Sequence, residues 1–83
     1  MKITIKYFAS IREAIGQASE VRETEAATLA ELRNELLGVS PAHAQALARG
    51  KSVRMALDQV MSDESAALQG GSEVAFFPPV TGG

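Results

Sequence analysis

The sequence ends in Pro78-Pro79-Val80-Thr81-Gly82-Gly83, and the group there with the greatest chemical potential is a carboxylate on a residue without a Cβ. No side chain hinders a nucleophile or an ATP phosphate approaching the carbonyl carbon of Gly83, and Gly82-Gly83 can enter a channel closed to any other residue. Two prolines fix φ and donate no N–H, so a strand ending at Phe77 stops pairing and the backbone leaves as a stiff arm. At ~3.3–3.6 Å per residue, six residues reach roughly 20 Å. A carboxylate is ionised at neutral pH and a poor electrophile. It must become a mixed anhydride, such as an acyl adenylate, before attack, and the activating machinery then belongs to another protein. The competing reading is a frayed Gly-rich end; against it stands the Phe76-Phe77-Pro78-Pro79 run immediately upstream.

The rest of the chain offers little chemistry of its own. Eighty-three residues make one domain with a single small core, too small for a deep private active site. There is no cysteine, which excludes disulfides, a thiolate nucleophile and thiolate metal sites, and one histidine excludes a multi-His site. That residue, His43, is read as a solvated helix histidine, with no Ser, Cys or paired carboxylate at helical spacing to make a relay. Glu20, Glu23 and Glu25 read as outward-facing along a weak strand, Asp63-Glu64 as a turn, and Gly70-Gly71 as a turn without the context of a phosphate loop. No metal site is expected. Eight basic against ten acidic residues, net −2, give no field for phosphate backbones, and the one basic cluster is Arg49, Lys51 and Arg54. Neither a signal peptide nor a membrane-length apolar run is present, so a cytoplasmic protein is expected, with no nucleic-acid or membrane partner.

The elements that must position the tail follow from periodicity. Ile3, Ile5 and Tyr7 alternate with Lys2, Thr4, Lys6 and Phe8, a half-buried strand with Phe8 on its polar face. Ser10-Ile-Arg-Glu13 reads as a capping box opening a short helical turn that Gly16 stops. A weaker strand, residues 19–24, centres on Val21. Thr28-Leu-Ala-Glu31 opens the main helix, with Leu29, Leu32 and Leu36 on one face. Ser40-Pro41 starts an Ala-rich helix whose narrow face suggests a peripheral position. Val53, Met55 and Leu57 alternate in a third strand, Val60-Met61 continue after a turn at Asp58-Gln59, and the last strand, residues 73–77, puts Val74 and Phe76 inward. This order predicts an α+β domain, a mixed sheet packed on one main helix with short extra helices. If the first and last strands are neighbours, Phe8 and Phe77 make an exposed apolar patch at the base of the tail, the mark of a partner surface. The other reading is that a later segment covers them.

Glu73-Val-Ala-Phe-Phe-Pro-Pro-Val-Thr-Gly-Gly83, together with Tyr7-Phe-Ala-Ser-Ile-Arg-Glu13, resembles the small subunit of molybdopterin synthase, also called molybdopterin-converting factor subunit 1, over the whole chain. The resemblance implies a ubiquitin-like β-grasp domain over residues 1–77, an extended tail over 78–83, and work as a sulfur carrier. In that family the terminal glycine is adenylated by an E1-like activating enzyme using ATP and Mg, converted to a thiocarboxylate with sulfur from a donor, and inserted into the large subunit. There sulfur passes to a cyclic pyranopterin phosphate during molybdenum cofactor biosynthesis. The chain would then bind no cofactor and be a non-catalytic, sulfur-donating subunit, the large subunit supplying the active site of a heterotetramer. By position Gly83 would carry sulfur, Pro78, Pro79, Val80, Thr81 and Gly82 would occupy the partner's channel, and Phe8, Val60 and Phe77 would belong to the partner interface. Two departures, Asp58 where the family often has Asn, and Gln69-Gly-Gly-Ser72 where it has an acidic turn, are expected to tune a turn or a rim contact.

Three alternatives stay open on residues alone. A sulfur carrier of another pathway, such as thiamine synthesis, also ends in Gly-Gly, but is typically shorter and without the Phe-Phe-Pro-Pro ending. A ubiquitin-like modifier would use the same glycine to form isopeptide conjugates. A plain interaction module would bind equally well without Gly82-Gly83.

Overall fold

Ile3, Ile5 and Tyr7 point to one side of the first strand and are at most 1% exposed, the phase that their alternation predicts. The computed structural model describes residues 1–79. In chain order the elements are β1 (Lys2–Tyr7), α1 (Ala9–Ile15), β2 (Ser19–Glu23), α2 (Leu29–Leu37), α3 (Pro41–Ala46), β3 (Arg54–Leu57), β4 (Val60–Ser62) and β5 (Glu73–Phe77). The strands form one mixed sheet in the order β2-β1-β5-β3-β4, with β1 parallel to β5 and the other pairs antiparallel. With α2 lying across it, this is the β-grasp, ubiquitin-like arrangement expected. The last strand therefore runs through the middle of the sheet, between β1 and β3.

The core fills the helix side. Leu29, Leu32 and Leu36 of α2 meet Ile3, Ile5, Tyr7, Val74 and Phe76 there, each large side chain contributing about 1.5–3 kcal/mol on burial. Thr28 caps α2 by accepting from Glu31 N through Oγ1, and Glu31 reaches back to accept from Ala27 N rather than from Thr28. The β3–β4 hairpin turns on Asp58 (φ 50°) and Gln59 (φ 70°), both left-handed as a two-residue hairpin requires. Asp58 also ties that turn to β5: its N–H donates to the Glu73 carbonyl and its Oδ1 accepts from Glu73 N, so the departure at Asp58 falls on a turn contact.

Four expectations are corrected. α1 begins one residue before Ser10, with Phe8 as N-cap and no side-chain cap, because Ala9 at φ 51° already turns the chain out of the strand. In β2 the phase is reversed: Val21 is 63% exposed, while Glu20 and Arg22 pair with Ile5 and Ile3 and so share the core side. A strand at the sheet edge can turn polar groups inward where a helix supplies partners, and α2 does so, since Glu35 accepts hydrogen bonds from Arg22 and from Thr24 Oγ1. The Ala-rich helix is not merely peripheral, because Ala46 and the following Leu47 join the core. Glu64 is more than solvated surface, for it pairs with Arg33 (3.6 Å) and Arg49. Arg33, 5% exposed, donates to the carbonyls of Leu47 and Ala48 (2.8 Å each) and of Lys51 (3.4 Å), capping the chain as it leaves α3.

Candidate functional site

The side of the sheet away from the helices contributes nothing to the core cluster. Its rows follow from register. Lys6, Ala75, Ala56 and Met61 lie across four strands, and at the end where β5 stops, Phe77 stands opposite Arg54. Phe8 follows one step after the Tyr7–Phe76 pair and keeps extended angles (φ −126°, ψ 153°), so its side chain falls on the same bare side as Phe77. The Phe8 N–H donates to the Phe76 carbonyl at 3.1 Å, the last link between β1 and β5. Ala9 in the left-handed region, a conformation that costs a non-glycine residue about 1–2 kcal/mol, turns the backbone sharply at this point. The Phe8 carbonyl thereby accepts from both Ile11 N and Arg12 N, and the ring is left 45% exposed.

β5 thus ends between two strands, with the phenylalanine that follows β1 and one of its own on the bare face. Pro78 and Pro79 come next, both half-buried. They form one wall of a concavity on the helix side of the sheet. Val60 is placed differently from Phe77: its partner across the hairpin is Leu57, which puts it on the helix side of an edge strand, 65% exposed, while Met61, 55% exposed, shares the bare face. Val80, Thr81, Gly82 and Gly83 lie outside the described residues.

The polar groups that sequence reading dismissed form a cluster behind this end of the sheet. His43 is 5% exposed rather than solvated. With Nε2 protonated, it donates to Glu20 Oε2 at 3.2 Å and accepts at Nδ1 from the Ser40 hydroxyl at 2.8 Å. Tyr7 OH and Gln17 Nε2 donate to the same Glu20 oxygen, each at 2.9 Å. Burial, with the Glu20 carboxylate beside the hydroxyl, raises the Tyr7 phenol well above its ordinary pKa. A Ser40–His43–Glu20 chain therefore exists despite the sequence expectation of none, since Ser40 is three residues before His43 and Glu20 arrives from another strand. It is not a nucleophilic relay. Ser40 Oγ also accepts from His43 N as the cap of α3, both imidazole nitrogens are engaged, and the ring packs edge-on to Tyr7 at 5.9 Å. The cluster holds α3 and β2 against Tyr7, which stacks on Phe76 at 6.2 Å, and so supports the strand that delivers the tail.

Among the described residues no group of three or more His, Cys, Asp or Glu is placed to hold a metal ion, and no helix is long and apolar enough to cross a membrane. The remaining surface carboxylate of interest, Asp63, is held below its ordinary pKa by the hydroxyl and N–H of Ser65, a local turn motif.

The sequence pattern of the ThiS family matches residues 5–83. The molybdopterin synthase sulfur carrier subunits of Haemophilus influenzae and Escherichia coli K12 are each 37% identical over 81 residues, which covers 98% of this chain and 99% of theirs. Among solved structures, SAMP1 from Haloferax volcanii superposes with a TM-score of 0.80 at 24% identity, all of both chains being covered. A chain from the protein–protein complex of subunits 1 and 2 of molybdopterin-converting factor from Helicobacter pylori superposes at 0.71, again at 24% identity over all of both chains. At that identity the likeness is one of fold.

Proposed function

This chain belongs to the ThiS family, and from that membership we propose that it is the sulfur carrier subunit of a molybdopterin synthase. Residues 1–77 are the carrier body and 78–83 the delivery arm. One observation carries the reading: the strand leading to the tail is held on both sides, stops pairing at Phe77 beside Phe8 on a bare face, and is followed at once by two residues that cannot donate to a sheet. The names of the curated relatives support the same role.

In this mechanism the carboxylate of Gly83 attacks the α-phosphate of ATP in an E1-like enzyme that also holds Mg²⁺, releasing pyrophosphate and leaving an acyl adenylate. A sulfur donor at the oxidation level of sulfide then attacks the carbonyl carbon; the C–S bond forms as the C–O bond to AMP breaks. The thiocarboxylate enters the large subunit, which supplies the active site. There sulfur passes to a cyclic pyranopterin phosphate, and Gly83 returns to a carboxylate with an oxygen from water. Pro78, Pro79, Val80, Thr81 and Gly82 occupy the channel, with Phe8, Val60 and Phe77 at the interface. A complex of the two subunits in the Helicobacter pylori protein supports such a partner.

The energetics suit this division of labour. Fixing the backbone of six residues on binding would cost about 6–12 kcal/mol at ~1–2 kcal/mol each, but the proline rings of Pro78-Pro79 already fix φ and reduce that cost. Burial of Phe77 and Val80 in the partner returns about 1.5–3 kcal/mol each. Intact mass after incubation with the adenylating enzyme, ATP, Mg²⁺ and a sulfur source tests the proposal. The expected result is a gain equal to replacement of one oxygen by sulfur, localised to Gly83. No gain, or isopeptide conjugates to lysines instead, overturns it.

A further inference from the structure

We propose that the groove beneath the tail base is a second docking site for the subunit that accepts the tail, seating one apolar side chain of that partner with a carboxylate beside it. This rests on the carrier reading above and adds a surface to it. Ile11 and Ala46, both nearly fully buried, line it together with Ala14, Val53, Pro78 and Pro79. Its volume is about 280 Å³, at or below the lower end of pockets that hold small molecules, ~300–1,000 Å³. It is therefore sized for an amino-acid side chain.

The geometry of the tail says whose side chain it is. A channel that encloses an extended arm has walls on every side of it, so a partner that swallows residues 78–83 meets the carrier on both sides of the point where β5 ends. On the bare side one wall lands on Phe8 and Phe77. On the helix side the opposite wall lands in this groove, because the prolines that open the arm also line the groove. An aliphatic hollow continuous with the arm is then filled by the protein that grips the arm, as anchor side chains fill pockets at the centre of an interface. Charge fixes the second element. Lys51 stands on the rim of the groove, and Arg54 stands opposite Phe77 on the other side of the sheet. Both flanks of the tail base carry a cation in a chain whose net charge is −2, so the complementary partner is acidic around its apolar anchor.

Two substitutions test this with the full chain and the purified large subunit. Ala14 is exposed on a helix, so Ala14→Leu fills the groove without touching the core and keeps helix propensity. It should weaken the Kd at least about tenfold, the loss expected when an anchor cannot seat, with the thermal midpoint unchanged. Lys51→Glu should weaken binding several-fold and flatten its salt dependence. Methyl NMR on the wild-type chain should show Ile11 and Val53 shifting when the large subunit is added. Normal affinity for Ala14→Leu overturns the proposal. So do methyl shifts in the unbound chain on deletion of residues 80–83, which would make the occupant the chain's own tail, or shifts that follow protein concentration, which would make it a second copy. Deleting Gly83 separates the two readings: sulfur transfer by that variant sinks the carrier mechanism, whereas lost transfer beside normal Ala14→Leu binding sinks the groove alone. A wild-type chain that does not bind the large subunit overturns both.

Discussion

Phe76 and Phe77 are adjacent in sequence and opposite in consequence, and replacing each by Ala separates the core from the docking face. Phe76 is 0% exposed, pairs with Tyr7 and Met55 in its two neighbouring strands, and stacks on the Tyr7 ring at 6.2 Å. Removing it leaves a cavity in the centre of the sheet and costs about 3–5 kcal/mol. A domain of this length has roughly 4–12 kcal/mol in total at ~0.05–0.15 kcal/mol per residue, so Phe76→Ala forfeits about a quarter of it or more. At ~4–8 °C per kcal/mol, the melting temperature should fall by roughly 12–40 °C. Phe77 points the other way, half-buried against Arg54 and outside the core cluster, so Phe77→Ala should cost no more than about 1 kcal/mol. Its effect appears in binding: a loss of at least about tenfold in Kd for the large subunit, ~1.4 kcal/mol or more. Thermal melts by circular dichroism and titration calorimetry read the two quantities. A drop in melting temperature for Phe77→Ala as large as that for Phe76→Ala would refute the assignment of faces, and unchanged affinity would refute the docking role.

Changing both Pro78 and Pro79 to Ala should weaken binding by only about 0.4–1 kcal/mol per proline through gained freedom in the unbound arm, whereas one residue added after Gly83 should abolish thiocarboxylate formation; calorimetry and intact mass distinguish the two. The Tyr7 pKa is raised in the folded state, so its stabilisation is intact below the ordinary value of 10.0 and lost as pH rises beyond it; melts above pH 10 should decline more steeply for the wild type than for Tyr7→Phe. At Glu35 burial alone would raise the pKa, but hydrogen bonds from Thr24 and Arg22 together with Arg22's charge outweigh it and hold the carboxyl low. Its contribution is therefore present above the ordinary 4.5 and lost as pH falls through the lower folded value, and Glu35→Gln should remove that part of the acid slope in melts. Arg33→Met leaves buried carbonyls without donors and should cost about 3 kcal/mol in chemical denaturation; Arg33→Lys should not restore it, since one ammonium cannot reproduce the fork that reaches Leu47 and Ala48.

What the residues determined by themselves is local and periodic. The phase of β1 follows from Ile3, Ile5 and Tyr7, the start of α2 from Thr28 and Glu31, the hairpin from Asp58-Gln59, and the end of pairing from Pro78-Pro79, because each depends on neighbours within a few positions. The ends of those elements were less legible: Ser10 carried the signal of a cap, but Ala9 had already turned the chain. Only the tertiary structure decided what the polar residues do. Glu20 and His43 are 23 positions apart, and Arg33 reaches carbonyls 14 to 18 positions away; no spacing rule joins them, since the sheet order and the packing of α3 bring them together. The same holds for β2, where an alternation that puts Val21 inward lost to Arg22 and Glu20, because α2 and α3 offered those two charges partners on the core side and the sheet edge left Val21 to solvent. The tail base is divided between the two levels. Its stiffness and its glycines are written in the final residues, but that Phe8 stands beside Phe77 requires β1 and β5 to be parallel neighbours, a pairing across some seventy residues that only the closed sheet supplies.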